Sequence, residues 1–405
     1  MNWIEKMIAE QCPNGEVEWK TLGKVCNVVR GASPRPISNF LTFNDGTPWI
    51  KIGDVGTEAK YVTQTNEFIT SEGVKKSRFL RRGSFILSNS MSFGRPYILK
   101  IDGCIHDGWI ALSDYENTLC SDYLYELLKS KKVQYYWRKK VNNGGAMSNL
   151  NSDIVSGTPI PIPPLSIQKE IVRVLDKFSE LIEKTDEEIA LRQKQYEYYR
   201  EKLLTFEDGE KRYIEDCIEY LKTGLNPRTN FKLNTPDSIL PYVTGKDIFN
   251  NRIEITDKTD KITIEAEILI NRRANIEVGN ILFASTGTGT VGRMAYVEKY
   301  NHDWNISETL YNIKVKDFIY ARFFMHYLNS YNARSQYEGK ISKGSVPHLK
   351  ISDLMRVKIP LPSLSRQQEI VATLDKFEAL ISKLKEEREL RQKQYEYYRD
   401  NLLTF

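Results

Sequence analysis

One stretch of this chain occurs twice, and nothing else in the sequence restricts the fold as strongly. PPLSIQKEIVRVLDKFSELIEKTDEEIALRQKQYEYYREKLLTF runs from Pro163 to Phe206, and PSLSRQQEIVATLDKFEALISKLKEERELRQKQYEYYRDNLLTF runs from Pro362 to Phe405. Each residue of the first copy matches the one 199 positions later, without a gap. Duplication on this scale implies a duplicated architecture.

Each copy reads as one long helix. Prolines lie upstream, Ser166 and Ser365 are placed as N-caps, and Ser365 with Gln368 completes a capping box. Apolar positions then step by four and three residues, through Leu175, Phe178, Ile182, Tyr196 and Tyr199 in the first copy. Leu374, Phe377, Ile381, Tyr395 and Tyr398 repeat them in the second. A period of 3.5 specifies a coiled-coil seam, so the two copies are expected to pack against each other. Thr185, Arg192, Arg388 and Arg391 interrupt the seam, as polar residues that fix register do. Tyr198 and Tyr397 fall off it and are left to face a partner.

With 405 residues the chain is long enough for two or three domains. No apolar run approaches the roughly 18 residues of a membrane span, and the N-terminus lacks the basic-then-apolar layout of a secretion signal. Five scattered cysteines, without a CxxC, read as small buried hydrophobes in a reducing cytoplasm. The net charge of +5 is a weak pointer to a polyanion. Many acidic residues fall in the two helices, which leaves the rest of the chain more basic than the total.

Two further segments, 1–161 and 207–360, flank the helices at 162–206 and 361–405. Their landmarks align. Gly31, Pro34 and Arg35 match Gly224, Pro227 and Arg228, and the same offset carries PWIKIGDV onto PYVTGKDI. Gly83 matches Gly279, and His106-Asp107 is aligned with His302-Asp303. Both segments show short β runs between turn residues (VCNVV, PWIKI, SFILS, PYILKI and WIAL; LPYVTG, KITI, NILFAS, RMAYVE and TLYNIKV). An aromatic helical stretch from Ser121 or Phe318, a polar loop and a proline-flanked strand complete each. The expected fold is α/β (α+β): two duplicated mixed domains, separated by two long helices that form an antiparallel coiled-coil spacer.

Catalytic patterns are missing. GTGTVG, from Gly287 to Gly292, fits G-x-G-x-x-G, but RMAYVE continues it as a strand, whereas a phosphate site needs a helix to start there. A base methyltransferase would carry an N/D-P-P-aromatic tetrapeptide, and a P-loop a Lys after its second glycine; neither occurs. The histidines lack metal spacing, and His106 with His302 reads as a hydrogen-bonded structural pair. Recognition chemistry remains. Arg30, Arg35, Lys51, Ser88, Asn89, Ser90, Ser92 and Arg95 fall on loops or strand ends of the first domain. Arg228, Lys246, Ser285, Thr286, Thr288 and Arg293 do so in the second. Arg and Lys neutralise phosphates or fork onto guanine, while Asn, Ser and Thr read base edges.

The doubled LDKF…LRQKQYEYYR…LLTF helices, with the lead-ins PIPIPPLS and KIPLPSLS, resemble the specificity (S) subunit of Type I restriction–modification systems. The resemblance spans the whole chain. It implies a non-catalytic subunit whose two target recognition domains each read half of a split, asymmetric DNA site. The antiparallel helices would set the gap and dock two methyltransferase (M) subunits, with Tyr198 and Tyr397 facing them. It implies no cofactor on this chain: S-adenosylmethionine belongs to M, and ATP with Mg to restriction (R) subunits. The competing reading is a coiled-coil scaffold whose two domains bind ligands other than duplex DNA. Divergent loop sets on one repeated spacer favour the first.

Overall fold

The computed structural model describes every residue except 1–2, 44, 57–58, 90–92, 143–148 and 208. The chain forms two compact units, and both long helices are divided between them. One unit comprises Met1–Asp186 with Glu386–Phe405, the other Glu187–Lys385. The long helices run Leu165–Leu204 and Leu364–Leu402. Each unit is therefore a domain seated on the first half of one long helix and the second half of the other.

Within the first unit the helix segments run antiparallel. Phe178 stacks on Tyr398 at 5.0 Å between ring centroids, and Arg388 Nε lies 3.1 Å from Asp186 Oδ1, so partner numbers fall as the first helix advances. The second unit repeats the stack with Tyr199 on Phe377 at 5.4 Å. Of the polar residues that interrupt the seam, Arg391 crosses it, with Nη1 donating to Leu181 O at 2.9 Å and Thr185 Oγ1 at 2.6 Å. Arg192, its counterpart, bonds Glu188 and Gln195 of its own helix. Leu384 replaces Thr185 in the second copy and offers a guanidinium no acceptor.

The helix starts differ from expectation. Ser166 and Ser365 lie inside the helices, and Ser166 donates to Gln11 Oε1 at 2.5 Å. Capping falls two residues upstream, where Ser363 Oγ accepts Arg366 N at 3.3 Å and Pro164 O accepts Ile167 N at 2.9 Å.

In the first unit the main sheet orders strands Asn27–Arg30, Trp109–Ser113, Phe85–Ser88, Pro96–Leu99 and Tyr61–Val62. A second five-stranded sheet includes Thr47–Ile50, parallel to Gly103–Ile105. The second unit has a four-stranded sheet of Ile218–Thr223, Leu310–Val315, Ile281–Ala284 and Met294–Tyr296, and a smaller one in which Leu240–Val243 lies parallel to Asn305–Ile306. The registers confirm the 193-residue offset, with Trp49 opposite Cys104 where Tyr242 is opposite Asn305.

Shared backbone devices explain the shared residues. A Cβ on Gly31 would sit 2.1 Å from His106 O, and one on Gly224 1.9 Å from Ile306 O, so strand and neighbouring turn approach too closely for any side chain. Gly83 and Gly279 adopt φ +93° and +95°, a region costly for residues with a Cβ. Asp54 accepts the Lys51 N–H at 2.8 Å and Asp247 the Thr244 N–H at 2.8 Å, closing the same turn in both units.

His302 is not the counterpart of His106. His106 N donates to Ile50 O as Ser307 N does to Val243 O, and the register continues with Asp107 matching Glu308. His302 sits at φ +57° in the preceding loop, with Nδ1 3.0 Å from Glu267 Oε1. The two His-Asp pairs share letters and not place.

The aromatic helical stretches are each two helices. Ser121–Lys129 and Lys131–Asn142 break at Ser130, and Ala321–Asn329 and Tyr331–Tyr337 break at Ser330. Both serines have extended backbone and donate Oγ to a carbonyl of the preceding turn (Leu127 or Tyr327). The break aims the second helix's N–H groups at the long helix, where Asp400 Oδ1 accepts Lys131 N at 3.1 Å and Glu201 Oε2 accepts Tyr331 N at 2.8 Å. Carboxylates at helix starts are stabilising.

Buried Gln168 and Gln367 complete the seats. Gln168 accepts Cys120 N at 2.8 Å and donates to Thr118 O and Pro163 O; Gln367 accepts Tyr320 N at 2.8 Å and donates to Phe318 O and Pro362 O. Ile171, Leu175, Ile370 and Leu374 lie buried beside them, each contributing about 2 kcal/mol by apolar burial.

Candidate nucleic-acid interface

In the first unit the predicted contact residues gather where several strands end. The turn His106–Gly108 is their anchor. Its Asp107 carbonyl accepts Arg30 Nε at 3.1 Å and Asn89 Nδ2 at 3.2 Å. The Asp107 carboxylate accepts Ser33 Oγ at 2.9 Å and Arg35 Nη2 at 3.4 Å, with His106 Nε2 at 3.1 Å. Against the burial that would raise it, the Ser33 bond and the charges of His106 and Arg35 hold this carboxyl below the usual range. It is therefore an anion that orients Arg35, while Arg30 is held by the backbone carbonyl. Arg35 keeps 84% of its side chain exposed, so the single long contact orients it without covering it. Lys51 pairs with Glu67 at the rim of a 380 Å³ cavity walled by Trp49 and Leu41.

Not every predicted residue reaches the surface. Ser88 is fully buried and Asn89 only 5% exposed, because the strand Phe85–Ser88, which Asn89 directly follows, is covered on both faces. Both are corrected from contact residues to supports, Asn89 through its bonds to Asp107 and Gly108. Arg95 is half-buried, and Ser90 and Ser92 lie outside the described residues.

The second unit arranges its cluster differently. Arg228 is exposed on the short helix Pro227–Asn230, whose start is capped by Asn226. Lys246 is exposed on the turn Gly245–Asp247, and Thr288 on the loop between Ile281–Ala284 and Met294–Tyr296. That loop contains GTGTVG and joins two antiparallel strands, as expected; it opens no helix. Thr286 Oγ1 lies 2.7 Å from His348 Nδ1. Ser285 is buried, donating to Thr309 O at 2.9 Å, and is likewise a support. Arg293 turns aside, with its guanidinium 5.0 Å from the Phe249 ring centroid and Nη1 on Ile248 O. Glu308, at the place of Asp107, accepts the Tyr242 hydroxyl at 2.9 Å and, among the described residues, pairs with no arginine.

On the long helices, Tyr196 and Tyr395 are buried against the domains, and Tyr199 and Tyr398 stack across the helix pair while staying 40% and 43% exposed. Tyr198 and Tyr397 are the more open, at 59% and 65%. Tyr198 lines a groove with Lys194, Lys202 and Tyr331, and Tyr397 one with Trp3, Ile8 and Phe405.

Reading the sequence missed Asp107 as the anchor and Gln168 and Gln367 as seat residues. The glutamines were findable, since both copies carry Gln at that position; Asp107 was obscured by the misaligned His-Asp pair.

The family described as "Type I restriction modification DNA specificity domain" matches twice, over residues 14–191 and 207–392. The EcoR124I/EcoR124II specificity subunit of Escherichia coli is 29% identical over 68% of this chain and 70% of its own length. The EcoprrI specificity subunit, also of Escherichia coli, is 25% identical over 95% of this chain and 92% of its own. A chain solved in work on complex assembly and conformational transition of the type I R-M system superposes with a TM-score of 0.58, at 17% identity, covering 95% of this chain and 97% of that one. That likeness concerns the fold alone.

Proposed function

Because the chain belongs to the Type I restriction modification DNA specificity family, we propose that its domains, 1–161 and 207–360, read the two unlike halves of a bipartite DNA site. The chain is the non-catalytic recognition component. The long helices set the gap between half-sites and dock two M subunits, through which R subunits join in the cytoplasm. One observation carries this reading: each unit repeats the same seat and backbone devices, yet the exposed basic residues are arranged differently. Arg30 and Arg35 are held by Asp107, with Lys51 paired to Glu67 in the same cavity wall, in one, while Arg228, Lys246 and Thr288 stand on separate loops in the other. A repeated frame with two unlike cationic loop sets suits a two-word reader of a polyanion.

Co-expression with an M subunit, followed by mapping of adenine methylation across genomic DNA, tests it. One split, asymmetric motif with a fixed gap is expected; methylation that is absent or confined to a single unsplit word contradicts it. For docking, Tyr198→Ala with Tyr397→Ala should cost M binding and leave the unfolding curve unchanged, since both rings are exposed. Unchanged assembly by analytical ultracentrifugation would reassign them.

A further inference from the structure

The long helices are near-copies, but the domain helices seated on them are opposite in charge. Helices Ser121–Lys129 and Ala321–Asn329 hold the same place in their units, each ending at a serine break. In register, Asp122 meets Arg322, and Glu126 meets His326. In the first seat Glu126 is 7% exposed and accepts the Tyr395 hydroxyl, and Asp122 pairs with Lys60 at 2.7 Å. In the second seat His326 is fully buried, with Nε2 3.1 Å from Asp375 Oδ1 and Nδ1 3.8 Å from Glu378 Oε1. Arg322 Nη2 lies 2.8 Å from Asp375 Oδ1, and the Tyr196 hydroxyl donates to Glu378 at 2.9 Å.

The repeated tyrosine thus donates to one carboxylate in each seat, but the carboxylate changes sides. It comes from the domain in the first unit and from the long helix in the second. Asp375 has a counterpart in Asp176; Glu378 has none, for the matching residue is the exposed Ser179. A second carboxylate facing the tyrosine, at 179 in the first seat or at 326 in the second, would compete for its one hydroxyl, and loss of Glu378 would leave Tyr196 only His326 Nδ1, at 3.4 Å.

We propose that the two seats are keyed by charge: the first admits a domain helix carrying an acid at position 126, the second a domain helix carrying Arg and His at 322 and 326, and Ser179 against Glu378 makes the choice. The aspartate common to both helices has unlike surroundings in the two seats. Burial, with Asp122 nearby and despite Lys60, pushes Asp176 up, whereas the His326 hydrogen bond and Arg322 pull Asp375 down against its burial. The His326, Asp375 and Glu378 donors lie within 4.8 Å of one another, but Arg322 already places a cation between the carboxylates, so the cluster is an ion-pair lock rather than a metal site. The keying goes beyond DNA reading and concerns which domain each seat can accept.

Hydrogen exchange on the full chain tests it, with amides of 121–129 and 321–329 followed separately. Glu126→His should lose about tenfold or more in protection at 121–129, and adding Ser179→Glu should restore over half of that loss on a logarithmic scale. In the other seat, Glu378→Ser should weaken 321–329, and His326→Glu should restore it in the same way. Ser179→Ala should change nothing. Where Glu126→His fails to express, the milder Glu378→Ser cycle decides. Full protection in the unmatched variants, or losses that simply add in the matched pairs, overturns the keying. Neither result bears on which DNA is bound, so failure here and failure of the DNA-reading proposal are separable.

Discussion

The two units hold different things constant. Along the long helices the side chains themselves recur in the same roles: Gln168 and Gln367 clamp a domain loop, Asp400 and Glu201 cap a domain helix, and Tyr398 and Tyr199 stack on Phe178 and Phe377. In the domains only the backbone devices recur, such as the close approach at Gly31 and Gly224 and the turn closed by Asp54 and Asp247. The acid after the parallel strand shows the contrast, since the Asp107 carboxylate takes Arg35 while that of Glu308 takes a tyrosine. Recurring side chains suit a frame proposed to accept the same partner twice, and recurring backbone alone suits the proposed reading of two different words.

The sharpest challenge to the shared frame is to remove the clamp. Gln168→Ala and Gln367→Ala each strand one half-buried N–H and two carbonyls, and each should cost about 1–3 kcal/mol, equally in the two units, by denaturant unfolding with local hydrogen exchange. A cost confined to one unit would break the equivalence.

Tyr395→Phe and Tyr196→Phe should separate the seats. Tyr395→Phe takes the hydroxyl from buried Glu126 and should cost about 1–3 kcal/mol. Tyr196→Phe leaves Glu378 the Asn251 amide at 2.7 Å and should cost less. Equal losses would argue against the difference.

Acid should drive the seats apart. Burial raises the Glu126 carboxyl despite the Tyr395 bond and nearby cations, so its charged form burdens the fold at neutral pH and the first seat gains stability as pH falls through that raised value. Asp375 is lowered, so its contribution is complete above the ordinary aspartate range and is lost as pH falls through its folded value. Exchange at 121–129 should slow, relative to 321–329, as the medium is acidified, after correction for intrinsic rates. Parallel behaviour would contradict the difference between the raised Glu126 and the lowered Asp375.

The smallest effect distinguishes the helix halves. Arg391→Ala removes a cross-helix bond to Thr185 and should cost about 1 kcal/mol, while Arg192→Ala removes a half-exposed pair within one helix and should cost about 0.3–0.5 kcal/mol. Thermal unfolding of the two variants compares them directly.

Most of this frame was legible because repetition is a signal that needs no structure. The long helices, many of the strands from Asn27 to Val315 and the matched glycines all follow from periodicity and spacing. What escaped lay where identity of letters and identity of place diverge. His106 and His302 look paired, yet the hydrogen-bond register assigns Ser307 to the place of His106, because the loop before strand Asn305–Ile306 has a different length. The serine breaks were invisible within aromatic, helix-favouring runs, since the bond that stabilises each break comes from a long helix hundreds of positions away or in another segment. Ser88, Asn89 and Ser285 read as loop residues, but hydrophilic letters at a strand end do not reveal that both faces are covered.

The most direct test of two unlike readers on one frame is a domain exchange. Residues 207–360 are replaced by the corresponding domain of another family member that carries Arg and His at the places of Arg322 and His326, and methylation is mapped with the same M subunit. One half of the motif should change while the other half and the gap stay as they were. A change in both halves, or in neither, would contradict the account.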